Sequence, residues 1–191
     1  MFSHRIGEAT ELRLPDLSHA EEVTEVVLRN LAHLRPWMPW AVEGYTVESA
    51  RDFIQLMRRQ YAAGESLVAF IFHEGRFAGS AGLNGINWQN RKGEIGYWLD
   101  ARLQGRGIIT RSCRAFVNHS FRDLKLNRVE MFIDPENARS RAVAARLGFR
   151  QEGVCRQAEW LHDRFHDLAL YAMLAEEWKD KVSSSEFQVS S

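Results

Sequence analysis

The sequence predicts a single-domain α+β (mixed α/β) protein with a central, mostly antiparallel sheet flanked by helices. Three observations carry this. The 191 residues suffice for one sizeable core and are few for two. Apolar periodicity alternates between strand and helix spacing in the order β-α-α-β-β-β-α-β-α-β-β. Tight turns at Glu74-Gly75 and near His162-Asp163 join strands directly, as hairpins rather than crossovers.

The elements follow in order. Ala9 to Pro15 alternates and is stopped by proline, so it reads as the first strand. Leu17, Val23, Val26, Val27, Leu31 and Leu34 recur at helical spacing behind an Asp or Ser cap. Residues 35–45, with two prolines and two tryptophans, cannot form a regular helix. A second helix runs from about Thr46 to Ala63, with Ala50, Phe53, Ile54, Met57 and Tyr61 on one face and Gly64 as its stop. Residues 66–100 read as a three-stranded meander. The next helix shares Ile109, Cys113, Phe116, Val117, Phe121 and Leu124 on one face. Residues 127–133 form a buried strand, and a short helix follows between Asn137 as N-cap and Gly148 as stop. Residues 150–174 read as two more strands. The domain is placed at 1–181, and the polar stretch 182–191 is expected to be a disordered tail.

Composition narrows the function classes. Lys plus Arg equals Asp plus Glu, 25 each, so no global basic field calls for direct nucleic-acid binding. The two cysteines, Cys113 and Cys155, form no C-x-x-C pair and read as reduced thiols. The first residues lack the apolar segment of a signal peptide, and no apolar run nears the ~20 residues of a membrane span. A cytoplasmic protein without a membrane partner is expected.

Arg102-Leu103-Gln104-Gly105-Arg106-Gly107 stands between a strand and a helix. Helix N-termini present free N–H groups and partial positive charge, and glycines permit close approach of an anion. By itself the turn is equally compatible with plain chain reversal. It has no Gly-Lys-Ser/Thr, and it lacks the third glycine of the dinucleotide fingerprint.

The R-x-x-G-x-G spacing resembles the pyrophosphate loop of the GNAT acetyltransferase superfamily. "NARSRAVAARLGF", some thirty residues on, resembles that superfamily's Asn-to-Gly-Phe helix. "EIGYWLD", "QGRGIIT", "LNRVE" and "LHDRFHDLALYA" are similar to the ribosomal-protein-serine N-acetyltransferase branch. The resemblance spans roughly Thr10 to Trp178. It implies acetyl-CoA as donor, its diphosphate on Gln104, Gly105, Arg106, Gly107, Ile108, Ile109 and Thr110. It implies that Tyr97, Trp98 and Leu99 pair by backbone with the pantetheine arm, and that Asn137 caps its helix and holds the same arm. It further implies a general base at Glu159. Many relatives carry a tyrosine acid where this chain has Ala144; the branch instead offers a serine, here Ser140.

The acceptor implied by the resemblance is a protein N-terminus. A small-molecule amine (antibiotic, polyamine or amino-acid conjugate) and a non-catalytic coenzyme A-binding module are the alternatives. A homodimer is compatible with the sequence. An acyl route through Cys155 ranks below direct attack, because no histidine pairs with it in sequence. His162 and His166 would stand ~13 Å apart in one extended strand, so no metal site is expected. Trp37, Trp40 and Tyr45 either shape the acceptor groove or anchor their loop. Arg139, Arg141, Arg146 and Arg150 either meet the coenzyme 3′-phosphate or are solvated.

Overall fold

The computed structural model describes residues 3–178; the expected boundary at 181 and the tail 182–191 lie outside the described residues. Among the described residues, eight strands form one sheet. They are β1 (Ser3–Gly7), β2 (Thr10–Arg13), β3 (Leu67–His73), β4 (Arg76–Asn87), β5 (Lys92–Leu99), β6 (Arg128–Ile133), β7 (Arg150–Leu161) and β8 (Arg164–Leu174). Their spatial order is β1-β2-β3-β4-β5-β6-β8-β7. Every pairing is antiparallel except β5 with β6. The expected α+β class and mostly antiparallel sheet therefore hold.

The helices are α1 (Ala20–Arg29), α2 (Leu31–Leu34), α3 (Val47–Ala62), α4 (Ile108–Arg122) and α5 (Ala138–Leu147). They cover both faces of the sheet. Val23, Val27, Ala50 and Ile54 of α1 and α3 pack on Phe70, Phe72, Phe77 and Trp98. Ile108, Phe116, Val117, Val143 and Leu147 of α4 and α5 pack on Leu83, Val129, Met131 and Met173.

Several local predictions hold for the reasons given. The Glu74-Gly75 hairpin turn has φ of +52° and +77°, the positive angles that a two-residue hairpin of this hand requires. Thr46 caps α3 in a reciprocal bond pair with Ser49. Asn137 caps α5 by accepting the Ser140 N–H at 3.1 Å, and Gly148 closes it in the left-handed region.

Others need correction. The first strand is preceded by β1, whose exposed, polar Ser3, His4 and Arg5 give no apolar signal at the sheet edge. The first helix breaks at Asn30, whose side chain donates to the Val26 carbonyl and accepts from the Ala101 N–H. Leu17, expected on the helix face, sits exposed in a 3-10 turn capped by Asp16. Tyr61, in the last turn of α3, is half exposed. The buried stripe of α4 is rotated toward Ile108, Ser112 and Ser120. Both serine hydroxyls donate to carbonyls one turn back, which removes the penalty for burying them. Leu124 follows the end of the helix.

Candidate active site

The single parallel pairing creates the site. β5 and β6 are joined only at Lys92–Glu94 against Arg128–Glu130. Beyond that point the strands part, and main-chain groups of residues 95–99 and 131–133 border an opening. An ion-pair network clamps the closed end. Buried Glu130 accepts from Lys92 Nζ at 2.9 Å and Arg128 Nε at 2.6 Å, and Arg128 also reaches Glu152. Burial alone would raise the Glu130 carboxyl; the two cations outweigh it and hold the group below its usual range.

Two clefts meet in the opening. The larger, about 1210 Å³, is lined by Tyr97, Trp98, Leu99, Gln104, Gly105, Gly107, Ile108, Ile109, Thr110, Asn137 and Ser140. The structure thus brings together these eleven sequence-predicted residues. Arg106 alone of the predicted loop is not on this wall; its carbonyl accepts from Arg111 Nη1. Gly105 and Gly107 have φ of +76° and +70°, which turns the chain tightly into α4. The helix's first amides precede its first backbone bond, from Arg111 N to the Gly107 carbonyl, and so face the cleft mouth.

Arg139 and Arg146 line this cleft, joined by Arg111 and Arg114, which the sequence reading passed over. Arg141 is committed to Tyr171 and the Pro135 carbonyl, and Arg150 to Glu177. Four arginines against the one carboxylate of Glu136 make the larger cleft electropositive.

The smaller cleft, about 500 Å³, shares Trp37, Met38, Tyr97, Trp98, Asn137 and Ser140 with the larger. Glu159 stands in its wall. Ser140 is therefore at the junction, in the first turn of α5. That turn is held by Asn137 at its cap and from β5 by the Tyr97 hydroxyl, which donates to the Ser140 carbonyl at 3.3 Å. Trp37, Trp40 and Tyr45 line the same cleft, so the irregular loop after α2 both anchors and shapes it. The Trp40 ring packs 5.7 Å from Trp98 and 6.2 Å from Tyr45, and burial pushes the Tyr45 hydroxyl up to about 12.

Sequence reasoning missed Glu94 and Asp134, the other two carboxylates in this wall. Burial, followed by the charge of Glu130, raises the Glu94 carboxyl; Glu159 adds to the rise and Lys92 opposes it. Glu94 stood in "EIGYW", two and four residues from Gly96 and Trp98 on the same strand face, and period-2 alternation would have found it. Asp134 directly follows β6 and receives the His166 Nδ1–H at 2.6 Å. The smaller cleft has three carboxylates and, among the described residues, no lysine, arginine or histidine in its lining.

The remaining candidates point elsewhere. Cys155 is exposed and lines neither cleft, and Cys113 is fully buried, its thiol pushed up by burial. His162 donates to the Arg35 carbonyl, while His166 faces Asp134.

A sheet splayed at one parallel pair, a glycine turn into a helix and a capped helix beyond define an acetyltransferase architecture. The GNAT acetyltransferase domain model matches residues 10–150, and the chain belongs to that family. It is an acyltransferase enzyme of the ribosomal N-acetyltransferase-like branch. The putative ribosomal N-acetyltransferase YdaF of Bacillus subtilis (strain 168) is 34% identical over 94% of this chain and 98% of its own. The ribosomal-protein-serine acetyltransferase of Escherichia coli (strain K12) is 31% identical over 89% of this chain and 95% of its own. Among solved structures, the ribosomal L7/L12 alpha-N-protein acetyltransferase RimL in complex with coenzyme A superposes with a TM-score of 0.87. It is 31% identical and covers 92% of this chain and 99% of its own.

Proposed function

We propose that this enzyme moves the acetyl group of acetyl-CoA directly onto a cationic amine, the N-terminal amine of a protein being the acceptor it suits best. One observation carries the reading: an electropositive cleft and an electronegative cleft meet at Ser140. The first suits the diphosphate and 3′-phosphate of a coenzyme, the second an ammonium. The amides of Gly105 to Thr110 face the diphosphate, with Arg106 contributing main chain; the Gln104 amide is instead donated to the Ala101 carbonyl, and Gln104 lines the cleft. Tyr97, Trp98 and Leu99 pair with the pantetheine arm as an added strand would.

The residues divide the chemistry. Glu159 takes the ammonium proton, directly or through water, and leaves a nitrogen lone pair free to attack the thioester carbon. An N–H of the splayed β5 backbone binds the oxygen that gains charge. Ser140 donates its hydroxyl hydrogen bond to the sulfur as the C–S bond breaks. A thiol is acidic enough, near pKa ~8.5, that this hydrogen bond and a proton from solvent complete the release. An α-amine, near pKa ~8, needs less of a base than lysine near ~10.4, which favours a protein N-terminus.

The open main-chain edge of β6 favours an extended peptide over a compact amine. The exposed edge of β7 supports a homodimer, which native mass spectrometry would show as twice the chain mass.

The test is thiol release from acetyl-CoA with an acceptor panel: peptides with free or formylated N-terminal serine, a polyamine, and a neutral amide. Free peptide is expected to be acetylated and formylated peptide to be inert. Turnover of the polyamine alone would move the assignment to small amines, and no turnover with any acceptor would leave a binding module. Glu159→Gln is expected to lower kcat by about 10²-fold or more with acetyl-CoA binding retained. Unchanged turnover would remove the base assignment.

A further inference from the structure

β7 is distorted immediately before Glu159. Cys155 pairs with Leu168 and Glu159 with His166, so residues 156 to 158 stand opposite the single residue Asp167. The chain makes room by turning Gln157 to φ +52°, a region that side chains other than glycine rarely adopt. The Asp167 carboxylate accepts the Gln157 N–H at 2.8 Å and fills the gap in the ladder.

The consequence is one of aim. In an undistorted ladder Gln157 would stand opposite His166, and Glu159 would lie two residues, ~7 Å, further toward the hairpin turn. With the bulge, Glu159 takes the place opposite His166 and faces the smaller cleft. His166 is itself fixed. Its Nδ1–H donates to Asp134 at 2.6 Å, and its Nε2 accepts from Arg164 Nε at 3.0 Å. The strand is thus held beyond the bulge by His166 and within it by Asp167.

We propose that Asp167 is a positioning residue, a latch whose hydrogen bond to the Gln157 amide keeps the β7 bulge formed and Glu159 aimed at the acceptor amine. Asp167 touches no reacting atom; it acts through the backbone. The inference rests on Glu159 being the base.

The experiment compares Asp167→Ala and Asp167→Asn in the full chain, with acetyl-CoA and a free N-terminal serine peptide. The alanine variant loses the acceptor oxygen and is expected to lower kcat about 10-fold, with the KM for acetyl-CoA changed by less than about two-fold, as a small misplacement of a catalytic group would. The asparagine variant keeps that oxygen and is expected to retain kcat near the wild-type value. In a Glu159→Gln background, Asp167→Ala is expected to cost nothing further, since the group it aims is gone. Hydrogen exchange at the Gln157 amide, which needs no acceptor, is expected to speed up in Asp167→Ala and not in Asp167→Asn. Equal exchange in all three proteins, full activity of Asp167→Ala, or an equal loss in the Glu159→Gln background would overturn the latch. Unchanged turnover in Glu159→Gln alone would overturn the base, while the exchange rates would still report the latch separately.

Discussion

Asp100 is almost fully enclosed, yet its carboxyl stays below the ordinary carboxylate range. Burial by itself would raise it. The Arg29 guanidinium, at 2.6 Å, and the Arg102 amide reverse the sign. Because the folded-state pKa is depressed, the stability this gives is complete above the unfolded value, near ~3.9, and is lost as pH falls through the folded value. Asp100→Asn is expected to cost about 1–2 kcal/mol near neutral pH, in urea melts, and the difference from wild type is expected to shrink below about pH 4. Asp100 also caps the short turn that leads to Gly105 in the larger cleft. The role proposed for Ser140 is a smaller chemical contribution. A thiolate is a good leaving group, so Ser140→Ala is expected to lower kcat about 10-fold in the thiol-release assay, a smaller loss than in Glu159→Gln.

At the scale of the element, the turn from β5 into α4 shows what glycine contributes. A Cβ on Gly105 would meet no protein atom within 4 Å, while its φ of +76° disfavours any side chain. Gly105 itself lines the larger cleft. Gly105→Ala is therefore expected to lower stability by about 1–2 kcal/mol and to raise the KM for acetyl-CoA about 10-fold with kcat nearly unchanged. Steady-state kinetics at varied donor concentration checks this. The β7–β8 hairpin works by the opposite device. There an ordinary side chain, that of Gln157, accepts a disfavoured angle so that the strand can carry two additional residues.

At the scale of the molecule, charge is balanced overall and separated locally. The 25 basic and 25 acidic residues cancel, while arginines gather at one cleft and carboxylates at the other. Screening at higher salt is expected to raise the KM of both acetyl-CoA and a cationic peptide several-fold between low and physiological ionic strength, with kcat affected less. A salt-independent KM for both would contradict steering by these clefts. The element order, the Thr46 and Asn137 caps, the Glu74-Gly75 turn and the glycine loop were legible in the sequence, because each depends on residues within a few places of one another. The edge strand β1 and the break at Asn30 were not, since a polar edge has no periodic signal and Asn30 takes its role from a bond to Ala101, far along the chain. The same division runs through the site. Sequence alone determined the local pieces: a glycine turn into a helix, a capped helix carrying Ser140, and a strand bearing Glu159. Only the tertiary structure decided that Glu94, Asp134 and Glu159 share one wall, that β5 and β6 part after Glu94, and that a bulge sets the register of Glu159. Those depend on which strands pair and where pairing stops, and pairing is fixed by contacts between residues distant in the chain.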